Sequence, residues 1–128
     1  MVSRLSFLVT ADEHNSWVLP VVDDLPLTDL IESYERENGY TDPAGGYGPI
    51  RCNDLDFSRR TINLLACECG ETGCWPLQAT LSQKDAWVVW SEFRQPHRSN
   101  RDYSGFGPFQ FLRSDHDAAI KGLCLYGS

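Results

Sequence analysis

No stretch of this chain approaches the roughly 18 consecutive apolar residues that a membrane-spanning helix needs. Internal repeats, linkers and low-complexity tracts are also missing. So are a Ser-His-Asp order and an H-E-x-x-H run, which would give a hydrolase reading some support. Acids and histidines can still converge without a linear motif, but the expectation is a protein that is not an enzyme. Basic charge is scarce, with 11 Lys and Arg against 18 Asp and Glu, a net charge of −7 and a sequence pI near 4.8. That balance argues against nucleic acid as the partner, because binding to phosphates rests on cationic neutralisation. The opening "MVSRLSFLVTADEH" has one arginine. Its apolar stretch is shorter than a signal-peptide core of about 7–15 residues, and no small-residue cleavage site follows it. The expected location is therefore the cytoplasm, where thiols are the default state of the five cysteines.

What is present describes a globular domain. A chain of 128 residues is long enough for one core, burying roughly 65–70% of its unfolded surface. The hydrophobic share is 41%, with four Trp, five Tyr and six Phe. The charge is one-sided along the chain. Residues 1–42 hold nine acids against Arg4 and Arg36, so the whole −7 lies there, and residues 43–128 balance. An acidic face of this kind favours a basic protein partner, though it also serves simply to keep a domain soluble.

Periodicity gives an element order. Leu5, Phe7 and Val9 alternate along "RLSFLVT", and "WVLPVV" over 17–22 returns as a second strand, with Pro20 placing it at an edge or a bend. In "LPLTDLIESYERENG", Leu27, Leu30, Ile31 and Tyr34 fall on one helical face, while Glu32, Glu35, Arg36 and Glu37 are assigned outward. Thr28 suits the N-cap, Asp29 the positive helix end and Gly39 the stop. "YTDPAGGYGPI" reads as a loop; lacking the Lys-Ser/Thr ending of a P-loop and a helix start, it is not a phosphate cradle. "TINLLACEC", "WPLQATLS" and "AWVVWSEF" make a three-stranded meander, and "FQFL" a short strand. Ser114 then caps a helix over about 115–125, with Asp117 at the capping-box position and Ala118, Ala119, Ile120 and Leu123 toward the core. The expected class is a single α+β domain over 1–128: an antiparallel sheet built from an N-terminal hairpin, the meander and the short strand, with two helices.

The densest chemistry lies in "LLACECGETGCWPLQ". On a strand, Cys67 and Cys69 project to one face, the glycines of "GETG" permit a tight turn, and Cys74 returns opposite Cys69. Three thiolates would suit a structural zinc, with Cys52, His97 or Cys124 as fourth ligand; Cys67, Cys69, Cys74 and His97 form the candidate metal set. No second ligand pair accompanies them. A redox or nucleophilic thiol would need a helix N-terminus or a cationic neighbour, and Glu68 stands between the first two cysteines instead. A reversible Cys69–Cys74 disulfide is geometrically permitted. The remaining reading is packing, with three small buried residues closing one end of the core beside Trp75.

"FRQPHRSNRDYSGFGPF" places Arg94, His97, Arg98 and Arg101 among Tyr103, Phe106 and Phe109. Such a loop can be pinned to the fold by Arg–carboxylate pairs, hold a small anion or acidic peptide, or stack on single-stranded nucleic acid. In an acidic chain the first use is favoured. Together, "LLACECGETGCWPL", "WSEFRQP" and "DYSGFGPFQF" resemble a family of small uncharacterised bacterial proteins with a C-x-C-G-x2-G-C-W hairpin and an F-x-Q-P element. The resemblance covers mainly 62–125 and implies a bacterial or phage setting without a mechanism. The resulting expectation is an interaction protein of the immunity, inhibitor or adaptor kind. Its contact residues would come from Glu32, Glu35, Arg94, Arg98 and Arg101, with no membrane partner. The alternatives are a small protein holding one structural zinc, or a thiol redox switch.

Overall fold

The computed structural model describes residues 2–40, 47–67, 76–96, 101–121 and 123. They form two antiparallel sheets and two helices, an α+β arrangement. The first sheet is built on the expected hairpin, β1 (Leu5–Ala11) and β2 (Ser16–Val22), with Leu8 opposite Leu19. Its far side is completed by two short strands that the sequence pattern did not reveal: β3 (Leu25–Pro26) against Val21 and Val22, and β5 (Ile50–Arg51) against Trp17 and Val18. Between those two pairings Leu19 and Pro20 have no strand neighbour on that side among the described residues. A residue without an amide hydrogen thus sits where the ladder is interrupted.

The second sheet has the order β4 (Tyr47–Gly48), β6 (Thr61–Cys67), β7 (Leu77–Lys84), β8 (Trp87–Arg94), β9 (Phe109–Leu112). The meander and the FQFL strand are as expected, with β4 added at one edge. Two bulges bend the sheet at the level of Gln78. Gln78 pairs with Asn63 but Leu77 with Leu65, so Leu64 is the extra residue and both Leu64 and Leu65 are fully buried. On the other side Gln78 pairs with Arg94 but Thr80 with Ser91, and Glu92 takes φ 53° within the extra length. That slip lets Val88, Trp90 and Phe93 all reach the core although strict alternation would turn Phe93 out. A bridge from Ser3 to Phe111, with the Ser3 amide donating to the Gln110 carbonyl at 2.7 Å, joins the N-terminus to β9.

Helix α1 (Leu27–Glu37) buries Leu27 and Ile31 against the core, with Leu30 and Tyr34 partly covered. Its N-cap is Pro26, with no side-chain cap, so Thr28 lies inside the first turn and not at the expected cap. Gly39 at φ 74° follows the end, as expected of a stop. Helix α2 (Arg113–Ile120) also departs from expectation: its N-cap is Leu112, no side chain caps it, Ala118 is exposed, and His116 is its buried residue. The helix begins directly from β9 because Arg113 donates its amide to the Ala86 carbonyl at 2.7 Å, in the β7–β8 turn. Trp90, Phe111, Leu77, Ile62, Leu64 and Leu65 are the centre of the main core, and Val18, Ile50, Cys52 and Ala66 form a smaller one.

Candidate functional site

The sequence pointed to Glu35 and Arg101 as separate contact residues; the fold brings them together. Glu35 is on α1, and Arg101 is on the loop that precedes β9. The Arg101 Nη1 donates to Glu35 Oε2 at 2.6 Å, and the two side chains are only 7% and 13% exposed. The Tyr103 hydroxyl donates to the same oxygen at 2.8 Å, and the Tyr47 hydroxyl lies 3.0 Å from that of Tyr103. Since Tyr103 gives its hydrogen to Glu35, Tyr47 donates to Tyr103. A chain of polarity therefore runs from β4 through the loop to α1.

Aromatic rings enclose this chain. The Arg101 guanidinium stands 5.2 Å from the Tyr40 ring centroid, and the Tyr34 ring packs on Tyr103 and Phe106. Tyr34 donates its hydroxyl to the Asp102 carbonyl at 2.8 Å, and the Asp102 amide donates to the Tyr40 hydroxyl at 2.9 Å. The loop is thus held by its backbone as well as by charge. The Asp102 carboxylate turns back to Ser104, whose hydroxyl and then amide donate to it and hold its pKa below the ordinary value. Gly105 approaches so closely that an added Cβ would lie 3.3 Å from the Tyr34 hydroxyl, and Gly107, at φ 74°, would place one 2.8 Å from Phe93.

Electrostatics limit what this cluster can do. Burial, reinforced by Tyr103, raises Tyr47 far above a normal phenol, and burial pushes Tyr103 up to about 12. Both phenols stay protonated donors and neither supplies a base near neutrality. Glu35 is already accepting from Arg101 and Tyr103. The arrangement pins a loop to a helix, which is the internal pairing expected for part of the arginine-rich segment.

The other predicted residues are dispersed. Glu32 is exposed on α1 and accepts from Arg36 at 2.8 Å. Arg94 lies over the outer face of the second sheet, donating to Thr80 and Thr61 hydroxyls at 3.2 and 3.3 Å and to the Glu92 carbonyl at 2.8 Å. That explains why Thr80, on the face expected to be wet, is buried. Cys69, Cys74, His97 and Arg98 lie outside the described residues; Cys67 ends β6 opposite Tyr47, with its side chain likewise outside. Among the described residues no group of three or more His, Cys, Asp or Glu is placed to hold a metal. Cys52, considered as a fourth zinc ligand, is disulfide-bonded, which corrects both that role and the expectation that all five cysteines are thiols.

Sequence reasoning missed His116. It is 2% exposed and accepts a 3.0 Å hydrogen bond at Nε2 from the Trp90 indole, with Phe57 and Phe111 around it. Burial lowers its pKa against a smaller opposing effect of Asp117. It is a neutral core histidine. A separate polar cleft of about 360 Å³, between the 3-10 turn (Cys52–Asp54) and β6, is lined by Asn53, Asp54, Asp56, Asn63 and Gln78. No helix among the described residues is long and apolar enough to cross a membrane. Comparison with protein-family models, curated proteins and solved structures finds no match for this chain.

Proposed function

We propose that this chain is a non-enzymatic bacterial interaction domain, of the immunity, inhibitor or adaptor kind, that binds a basic protein through the outer face of α1. The observation that carries the reading is the placement of charge. The net −7 arises within residues 1–42, and on α1 the carboxylates of Asp29, Glu32 and Glu37 are all exposed, with Arg36 the one base among them. Complementary charge of this kind speeds encounter and selects partners. Glu35 plays a different part in this proposal: it anchors the 101–106 loop beneath that face and does not itself touch the partner.

The test is charge reversal confined to the exposed acids. Immobilised protein is expected to retain basic proteins that elute as salt is raised, and Asp29→Lys/Glu32→Lys/Glu37→Lys is expected to lose them with its circular dichroism unchanged. Retention of only acidic proteins, or binding indifferent to the triple substitution, overturns the reading.

A further inference from the structure

The C-terminal end of α1 carries chemistry of its own. Of the asparagines in the chain, Asn38 alone precedes a glycine; the others precede Ser16, Asp54, Leu64 and Arg101, whose side chains crowd the amide that follows. The Cγ of an asparagine lies within reach of the next backbone nitrogen, and a following residue without Cβ leaves that nitrogen unhindered. Asn38 and Gly39 are both exposed, and a Cβ added at Gly39 would meet nothing within 4 Å.

The same two residues form the stop of the helix. Asn38 is the C-cap at φ −97° and ψ 6°, and Gly39 follows at φ 74°. The Gly39 amide donates to the Arg36 carbonyl at 3.2 Å and the Tyr40 amide to the Glu35 carbonyl at 2.8 Å, the paired bonds of a Schellman turn. Asn38 Nδ2 adds a bond to the Tyr34 carbonyl at 2.8 Å. Closing a ring between Asn38 Cγ and the Gly39 nitrogen needs that nitrogen on the same side of the Cα–C bond as Cβ. At ψ 6° it eclipses the backbone nitrogen of Asn38 instead. The turn must therefore open before the two atoms meet, and helix ends are where local opening is easiest.

We propose that Asn38 is a deamidation site gated by the Schellman turn that closes α1. The Gly39 nitrogen gives up its proton and bonds to Asn38 Cγ, the Cγ–Nδ2 bond breaks, and ammonia leaves a five-membered succinimide behind. Water then opens the ring at either carbonyl to give aspartate or isoaspartate, with a proton passing to the ammonia. Water is the only other reactant. Aspartate replaces the Nδ2 donor with an oxygen facing the Tyr34 carbonyl, at the negative end of the helix. Isoaspartate runs the main chain through Cβ and Cγ, one atom longer, so the two Schellman bonds lose their register. The change reaches the anchored loop through the next residue: the Tyr40 hydroxyl accepts from the Asp102 amide at 2.9 Å, and Arg101 stands over its ring. This site does not rest on the binding face proposed above.

Peptide mapping of folded protein, incubated at neutral pH and physiological temperature, is expected to find deamidation at Asn38 ahead of Asn15, Asn53 and Asn63. Enzymatic methylation should detect isoaspartate in the same peptide. The chain unfolded in urea is expected to react at Asn38 at least about tenfold faster, because the turn no longer has to open. Tyr40→Phe removes one hydrogen bond that holds the turn to the loop and should speed the folded reaction about three- to fivefold. Asn38→Gln should abolish it, since the longer side chain would have to close a six-membered ring. Modified protein, separated by its extra negative charge, is expected to show faster hydrogen exchange at the Tyr40 and Asp102 amides. Folded protein that keeps Asn38 intact overturns the proposal, and equal rates in the folded and unfolded chains overturn the gating. Unchanged exchange at Tyr40 in the modified protein refutes the link to the turn.

Discussion

Replacing Arg101 with methionine leaves the Glu35 carboxylate beneath the 101–106 loop with one of its two donors gone. Both side chains of the pair are almost wholly covered, at 7% and 13% exposure, so water cannot easily take the guanidinium's place. Breaking one side of a buried ion pair costs about 3–5 kcal/mol, and the surviving Tyr103 donor favours the lower end. Removing both charges is a different perturbation. In Glu35→Leu/Arg101→Met both charges of the described pair are removed together, and the Tyr103 hydroxyl loses one acceptor, worth about 1 kcal/mol. The double variant is therefore expected to be more stable than Arg101→Met alone by at least about 1 kcal/mol. Urea unfolding followed by tryptophan fluorescence measures this. With a slope of about 1–3 kcal/mol per molar urea, a loss of about 3 kcal/mol should move the midpoint by about 1–3 M. A shift worth less than about 1 kcal/mol for Arg101→Met would mean that the pair is solvated, and a double variant as unstable as the sum of the singles would refute the charge argument.

Two further perturbations test other parts of the structure. His116 has its pKa lowered by burial from the ordinary 6.5. The unfolded chain therefore binds the proton first, and the stability His116 contributes is present above about pH 6.5 and declines as pH falls through that value. Protonation also removes the Nε2 acceptor from Trp90. Melting temperature is expected to fall between about pH 7 and pH 5. His116→Gln should flatten that slope, and an unchanged slope would place its origin in other groups. For the cysteines, denaturation without reductant is expected to expose at most three of the five thiols, since Cys52 is in a disulfide, and reduction should release all five. Five thiols before reduction would contradict that bond.

Much of the fold was readable because its longer elements follow simple periods. The β7 pattern, Leu77, Ala79 and Leu81 inward, survives intact in the structure, and FQFL is the observed β9. What escaped reading was set by pairing at a distance. β3, β4 and β5 are two residues each, too short for alternation to appear, and exist because a longer strand lies beside them. The bulges at Leu64 and Glu92 break the period of two, so a strict reading misassigns Phe93. Helix caps were misplaced for a related reason: neither helix uses a side-chain cap, because each follows directly from a strand whose geometry sets its start. Of the candidate site, Glu35 was identified but aimed the wrong way, although a signal was available. Leu27, Ile31 and Glu35 are spaced by four and share one row of the helix, so a carboxylate there continues the core face and needs a buried partner.

That row also changes the meaning of the acidic N-terminal region. Its charge looks like one surface in the sequence, but among the described residues several of its carboxylates have partners within the fold. Asp12 caps a turn, Asp23 and Asp24 hold Arg4, Glu32 takes Arg36, and Glu35 takes Arg101. A partner therefore meets a smaller field than net charge suggests, concentrated where Asp29, Glu32 and Glu37 share the exposed part of α1. Exposed i,i+4 pairs such as Glu32–Arg36 are weak, about 0.3–0.5 kcal/mol, and a partner's cation can displace Arg36 at little cost. Glu35 cannot be released in this way, because its partner is buried with it. If binding follows the acidic surface, Arg36→Gln should strengthen it by removing the competing cation, whereas Arg101→Met should act on the fold before it acts on the partner. Weaker binding by Arg36→Gln in a salt titration would refute that division.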